Sequence, residues 1–237
     1  MYNVNEGGIK WNRISLYRCN TRTNWISRKR NKKQLGSNIE LLSYKDPSII
    51  SEVVENNYVT ANPTARLVKM FMQAVQDGVD IILNNCSSVG EVVDACQDLA
   101  KYIGVPIIRI DEEMCREAVR CGNKIGVMAT LESTLNPTKN TILHVAREMG
   151  KQVELVDVLV EGGFGLNQEE FKELMTKYAG EIADKVDVNF VCSRFNGLLW
   201  RVIFMKISKM VLSSPRFGAR ALKEAIYKKG NKMIYNL

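Results

Sequence analysis

Three observations predict an α/β protein of two Rossmann-like lobes, with mostly parallel sheets and a cleft between the lobes. First, apolar runs of strand type alternate with helical segments from residue 38 onward. Second, those runs are apolar on both faces, as strands covered by helices on either side must be. Third, two strand-to-helix steps, at 84–91 and 129–134, are rich in thiol and hydroxyl side chains. In open parallel sheets such loops gather outside the carboxyl ends of the strands, where ligands bind.

Taken in order, strands are predicted over 39–43, 79–84, 106–110, 124–128, 152–158, 186–191 and 210–212. Helices are predicted over 63–76, 90–103, 112–120, 133–149, 168–184 and 215–229. The first of these helices opens on Pro63 and stops before Gly78, the usual asymmetry of helix ends. Its Leu67, Met70, Phe71 and Ala74 recur at helical spacing and mark a buried face. The pattern divides the chain into a first lobe, 1–116 plus 212–237, and a second lobe, 117–211. Glu161-Gly162-Gly163-Phe164-Gly165 lacks the dinucleotide spacing and a phosphate-binding lysine, and reads as a loop.

At 237 residues the chain can bury a substantial core, and 46% apolar with 25% charged residues is ordinary for a globular protein. No run approaches the roughly 18 apolar residues of a membrane span, and the start does not read as a signal peptide, so a cytoplasmic location is expected. The formal charge of +7 comes from one tract: residues 18–33 hold seven cations and no acid, and without them 26 basic residues face 26 acidic ones. Nucleic-acid binding through that tract is therefore given little weight. The six cysteines form no C-x-x-C pair and His144 is the only histidine, so no metal site is expected. Cys96 and Cys115 fall on predicted helices and read as small buried hydrophobes.

Cys86 stands apart from them. It ends the run Asp80-Ile81-Ile82-Leu83-Asn84-Asn85 and precedes Ser87, Ser88, Val89 and Gly90. A thiol at the carboxyl edge of a strand and beside a helix start meets backbone N–H groups that favour the thiolate and can hold a carboxylate. Thr130, Ser133 and Thr134 close the corresponding step in the second half, with hydroxyls alone.

At this point the chain resembles the aspartate/glutamate racemase superfamily, in particular its hydantoin-racemase-like branch. The stretches that carry the likeness are D-I-I-L-N-N-C-S-S-V-G-E, V-P-I-I-R-I-D-E, I-G-V-M-A-T-L-E-S-T-L-N-P-T, V-L-V-E-G-G-F and V-L-S-S-P-R-F-G-A-R-A-L-K-E, in the family's order over 38–188 and 208–229. The resemblance implies a cofactor-independent isomerase acting on a small carboxylate, either an amino acid or a hydantoin-like compound. One cysteine thiolate removes the proton α to the carboxylate and a second thiol returns it on the opposite face. It implies Cys86 as the first thiol, and Asn85, Ser87, Ser88, Thr130, Ser133 and Thr134 as substrate-binding positions. Cys192, at the end of a predicted strand, is the candidate second thiol. Relatives of this kind are commonly dimers or larger, so a homo-oligomer is expected, with neither nucleic acid nor membrane as partner.

Two windows, 17–33 and 189–207, depart from that pattern. Read one base later with permitted codons, Asn189 to Arg201 can encode I-L-F-A-Q-G-S-M-A-Y-C-G-E, and Tyr17 to Lys32 can encode T-G-V-I-P-A-L-I-G-L-A-E-K-E-I-K, an amphipathic helix after a loop. The expectation is two compensated frameshifts. The restored second loop holds Gln and Ser where a two-thiol racemase has Cys. Two alternatives therefore stand beside the racemase. One is a relative that uses a single thiol for decarboxylation or cis–trans isomerisation. The other is a catalytically impaired α/β protein that binds a ligand without turning it over.

Overall fold

The computed structural model describes residues 13–18, 40–163, 166–192, 210–213 and 220–228. These carry eight strands in two four-stranded sheets, every pairing of which is parallel. The first sheet holds β1 (Arg13–Arg18), β2 (Glu40–Lys45), β3 (Ile81–Asn84) and β4 (Ile107–Arg109), ordered β2-β1-β3-β4. The second holds β5 (Lys124–Ala129), β6 (Glu154–Leu159), β7 (Val188–Cys192) and β8 (Met210–Ser213), ordered β6-β5-β7-β8. Each sheet thus places its first strand between its second and third: one topology occurs twice.

Strand alternation explains why both faces of each sheet are covered. In β3, Ile82 turns into a core with Leu67, Phe71, Ala74, Val89 and Val93, while Ile81 and Leu83 turn the other way onto Leu222 of the helix over 220–228. In β5, Ile125, Val127 and Ala129 join Met114, Ala118, Ile142 and Val145, while Met128 faces Phe171 and Met175. A period of two with apolar residues at both phases demands helices on both sides.

The helices are α1 (Pro47–Asn56), α2 (Ala61–Gln76), α3 (Gly90–Ala95), α4 (Gln97–Ile103), α5 (Glu112–Cys121), α6 (Glu132–Glu148), α7 (Gln168–Ile182) and α8 over 220–228. Of these, α1 is an addition to the expected set. Its start is locally encoded: the Asp46 carboxylate accepts from the Ser48 N–H and Pro47 occupies the first turn. The helix expected over 90–103 is two helices. It breaks at Cys96, whose N–H reaches the Val92 and Val93 carbonyls. Beside the break, the Gln97 amide donates to the carbonyls of Val93 and Ile107, both at 2.9 Å, tying it to β4. The α7 start carries a capping box, Asn167 accepting from Glu169 and Glu170 N–H while Glu170 returns to the Asn167 N–H.

Between the sheets, α5 packs Met114, Cys115, Ala118 and Val119 onto the second sheet, while its Glu113 reaches Arg220 of α8 at 2.6 Å. The windows 19–39 and 193–209, with most of the two departing stretches 17–33 and 189–207, lie outside the described residues.

Candidate active site

The turn after β3 is built by Asn84. Its side chain is buried, and its Nδ2 donates to the Cys86 carbonyl at 2.8 Å, folding the backbone back at the strand's end. Its Oδ1 has no hydrogen-bond partner among the described residues. Cys86 itself is extended (φ −146°, ψ 111°), and the 3₁₀ turn Ser87–Val89 leads from it into α3. Cys86 is 6% exposed and shares its core with Val89, Val92 and Val93. Asn85 is half-buried; Ser87 and Ser88 are buried.

The second hydroxyl loop comes to meet it. The Ser88 and Thr134 hydroxyls lie 2.7 Å apart, and the Asn140 Nδ2 donates to Glu91 Oε1 at 2.8 Å. Thr134 and Ser133 stand in the first turn of α6, whose start has no side-chain cap. The Ser133 hydroxyl is buried with no partner among the described residues, as is that of Thr138 just over a turn further along. Pro137 has no N–H to give the Ser133 carbonyl, so the helix ladder is interrupted there. Thr130 packs beside Gly163: a Cβ on that glycine would lie 2.7 Å from the Thr130 methyl. The sequence-predicted set Cys86, Ser87, Ser88, Thr130, Ser133 and Thr134 thus comes from two loops joined at Ser88–Thr134, with Asn85 beside them.

Cys192 ends β7, across from Ala129. Register relates it to the first half: Val188 pairs with Ile125, the second residue of β5, as Ile81 pairs with Ile14, the second residue of β1. Counting along each strand, Cys192 is the counterpart of Asn85, and the counterpart of Cys86 is residue 193.

One group here is absent from the expected site. Arg109 and Asp111, at the end of β4 and just beyond it, are each 1% exposed. Arg109 Nε and Nη2 donate to the two Asp111 oxygens at 3.0 Å, and Nη1 donates to Asp94 on α3 at 2.5 Å. Burial would push the Asp111 carboxyl up, but the Arg109 guanidinium, by charge and hydrogen bonds, holds it below the usual range, helped by a hydrogen bond from Ser87. Burial pushes the Asp94 carboxyl up, against the pull of Arg109. Burial also opposes the charge on Arg109, yet Asp111 and Asp94 keep it cationic. A Cβ on Gly90 would lie 2.2 Å from Arg109 Nη2, so a side chain there would have to displace the guanidinium. The signal in the sequence was an arginine and an aspartate two apart in an otherwise apolar run, Val105-Pro106-Ile107-Ile108-Arg109-Ile110-Asp111.

Elsewhere, Cys96 and Cys115 are buried as expected, and His144 is exposed beside Glu148. Among the described residues no His, Cys, Asp and Glu group could hold a metal, and no helix is long and apolar enough to cross a membrane. The basic tract lies almost wholly outside the described residues. A groove of about 950 Å³ between α4, α5 and α8 is lined in part by Arg109 but by none of the sequence-predicted site residues. Its Arg116, Arg120 and Arg220 are all paired with carboxylates.

The profile of the Asp/Glu/hydantoin racemase family matches residues 27–192. Against curated proteins the chain finds no match. Among solved structures it is similar to a glutamate racemase isoform from Bacillus anthracis, with a TM-score of 0.69 and 13% identity, covering 92% of this chain and 83% of that one. An allantoin racemase from Klebsiella pneumoniae gives a TM-score of 0.58 at 14% identity, over 91% and 88% of the two chains. A maleate isomerase from Pseudomonas putida S16 gives 0.58 at 12%, over 92% and 93%. Identities this low speak for the fold.

Proposed function

This chain belongs to the Asp/Glu/hydantoin racemase family, a family of isomerases, and from that premise we propose that Cys86 is its proton-transferring thiol. The reaction is cofactor-independent. The Cys86 thiolate takes the proton from the carbon α to a carboxylate, so the C–H bond breaks, an S–H bond forms, and the electron pair delocalises into the carboxylate. A proton then returns to the carbon, from the opposite face in a racemisation. A thiol suits both directions because its unperturbed pKa, about 8.5, is near neutrality.

The observation that carries this reading is the Ser88–Thr134 contact, which joins the thiol's turn to the hydroxyl-bearing start of α6. Asn85, Ser87, Ser88, Thr130, Ser133 and Thr134 are the donors for a substrate carboxylate. The buried Ser133 hydroxyl, unpartnered among the described residues, supports that role. Fixed donors in a site closed to bulk water stabilise developing charge best. The substrate is a small amino acid or hydantoin-like carboxylate. The protein works in the cytoplasm, and as a homo-oligomer. Its two lobes divide at about residue 116, with 212–237 returning to the first.

Cys192 is the candidate for the returning acid. The register that aligns it with Asn85 favours a single-thiol site instead. The family match begins at residue 27 and ends at Cys192, each inside one of the two departing windows, and two compensated frameshifts are our reading of both departures. Resequencing the gene through both windows tests this, and an uninterrupted frame refutes it.

A second reading, a protein that binds a carboxylate without turnover, is favoured by the burial of Cys86. Incubating aspartate, glutamate, hydantoins and allantoin in deuterium oxide separates the two. Exchange at the α carbon that vanishes in Cys86→Ser is expected. Exchange that survives that substitution, or binding without exchange across the whole panel, sinks the thiol reaction.

A further inference from the structure

Strand β3 is apolar up to its last residue. Ile81, Ile82 and Leu83 are fully buried, and Asn84, at 1% exposure, lies as deep as they do. A carboxamide taken out of water needs partners at both ends, and burying it without them is costly. Asn84 Nδ2 donates to the Cys86 carbonyl at 2.8 Å, while its Oδ1 has no partner among the described residues. The fold itself does not demand an amide at this step. Val188 stands in the second sheet where Ile81 stands in the first, so the counterpart of Asn84 is Val191, at the same step of the same topology. The shifted frame reads phenylalanine at that position, so it is apolar either way. The first sheet thus carries a polar side chain where an apolar one would serve, and its hydrogen bond goes to the residue that bears the thiol.

We infer that Asn84 is a positioning residue for the Cys86 thiolate, acting through the Cys86 carbonyl. The bond to Nδ2 turns that carbonyl back toward the strand. The described peptide bonds are all trans, and in a trans peptide the N–H lies opposite the C=O. The N–H that follows Cys86 therefore faces away from Asn84, and the carbonyl oxygen is held from swinging against the sulfur of its own residue. Asn84 is distinct from the hydroxyls that hold the substrate carboxylate, because its donor is already spent on the backbone. The inference rests on Cys86 being the reactive thiol, but its test needs no turnover. The charged side chains on the elements packed at this turn are Glu91 and Asp94 on α3, Arg109 at the end of β4, Asp111 beyond it, Glu132 on α6 and Arg18 on β1, and the test alters none of them.

The test is the titration of Cys86 in the full chain. It is read as the ultraviolet thiolate absorbance of each protein minus that of its Cys86→Ser counterpart, which requires no reagent to reach the sulfur. The parent is compared with Asn84→Val, which installs the residue of the second sheet, and with Asn84→Ala. These two change solvation in opposite senses: valine dries the turn, whereas alanine leaves room for water. A loosened carbonyl should raise the midpoint in both by about one pH unit, a tenfold loss of thiolate near neutrality. Asn84→Val should also melt no lower than the parent, since it removes an amide whose oxygen has no partner among the described residues. An unchanged midpoint in Asn84→Val overturns the inference. A midpoint that rises with valine and falls with alanine overturns it too, because desolvation alone then accounts for both. So does an Asn84→Val protein that melts several degrees below the parent, or failure of both variants to fold, since the amide would then serve the fold. Midpoints that rise without deuterium exchange on any substrate would keep the positioning role and refute only the proposed reaction. Cys86-dependent exchange with unchanged midpoints would refute only the positioning role.

Discussion

Arg109→Met is the sharpest perturbation of this fold. It leaves the Asp111 carboxylate at 1% exposure with its bidentate partner gone and only the smaller hydrogen bonds, such as that from Ser87, remaining. Breaking a buried pair by removing one charge costs about 3–5 kcal/mol, because the survivor is stranded. Asp94 adds little to the sum: its side chain is 53% exposed and can turn to water once the guanidinium is gone. Replacing both members, Arg109→Met with Asp111→Leu, strands nothing and returns stability to within about 1 kcal/mol of the parent. The measurement is urea unfolding followed by circular dichroism, with thermal melting alongside. At about 2–4 °C per kcal/mol for a chain of this size, the single variant should melt roughly 10 °C lower. A loss below about 1 kcal/mol for Arg109→Met would refute the reasoning, as would a pair no more stable than the single.

Acidification should tell the same story with a definite sign. The folded Asp111 carboxyl lies below its unfolded value of about 3.9, so its contribution is whole above that pH and is lost as pH falls through the folded value. The parent should lose more stability than the Arg109→Met/Asp111→Leu pair on going below about pH 4, and equal losses in denaturant titrations would contradict this. Phe71→Ala empties a fully buried position in the first core and should cost about 3–5 kcal/mol in the same assay. A cost under about 1 kcal/mol would mean that α2 does not anchor that core. Asn167→Ala removes the capping box of α7 and should cost about 1 kcal/mol, with helical signal lost first from that segment by hydrogen exchange. Unchanged protection there would count against the cap.

Much of this fold was legible because its signals are local. A strand such as Ile81-Ile82-Leu83 announces by composition that it is buried on both faces, and the structure supplies a separate core for each face. The Pro-first, Gly-after pattern located α2 to within two residues at its start. Helix α1 carries an equally local sign, Asp46-Pro47. Its short apolar pattern lies between two stronger elements. The break at Cys96 was not legible. Nothing in Val93-Asp94-Ala95-Cys96-Gln97 forbids a continuous helix, and the Gln97 amide that ties the break to the Ile107 carbonyl reaches an element ten residues on.

The candidate site divides in the same way. That Cys86 would sit at a strand's carboxyl end followed from the run before it and the small residues after it, since chain direction and periodicity are properties of neighbours. Both four-strand orders can be anticipated only as a class, and β1 and α1 lie outside the expected alternation. Three things belonged to the tertiary structure alone. Ser88 meets Thr134, 46 residues away; Arg109 finds both its carboxylates and the space above Gly90; and Cys86 is buried at 6% exposure. Periodicity carries no information on which distant loops will touch. An arginine in an apolar strand is read as an edge residue or as a buried ion according to partners that only folding supplies. The sequence determined which segments become strands and helices and which of their ends carry thiol and hydroxyl groups. Packing decided which of those groups share a site, because contact between distant segments depends on how the sheets and helices stack, not on the order of the residues within them.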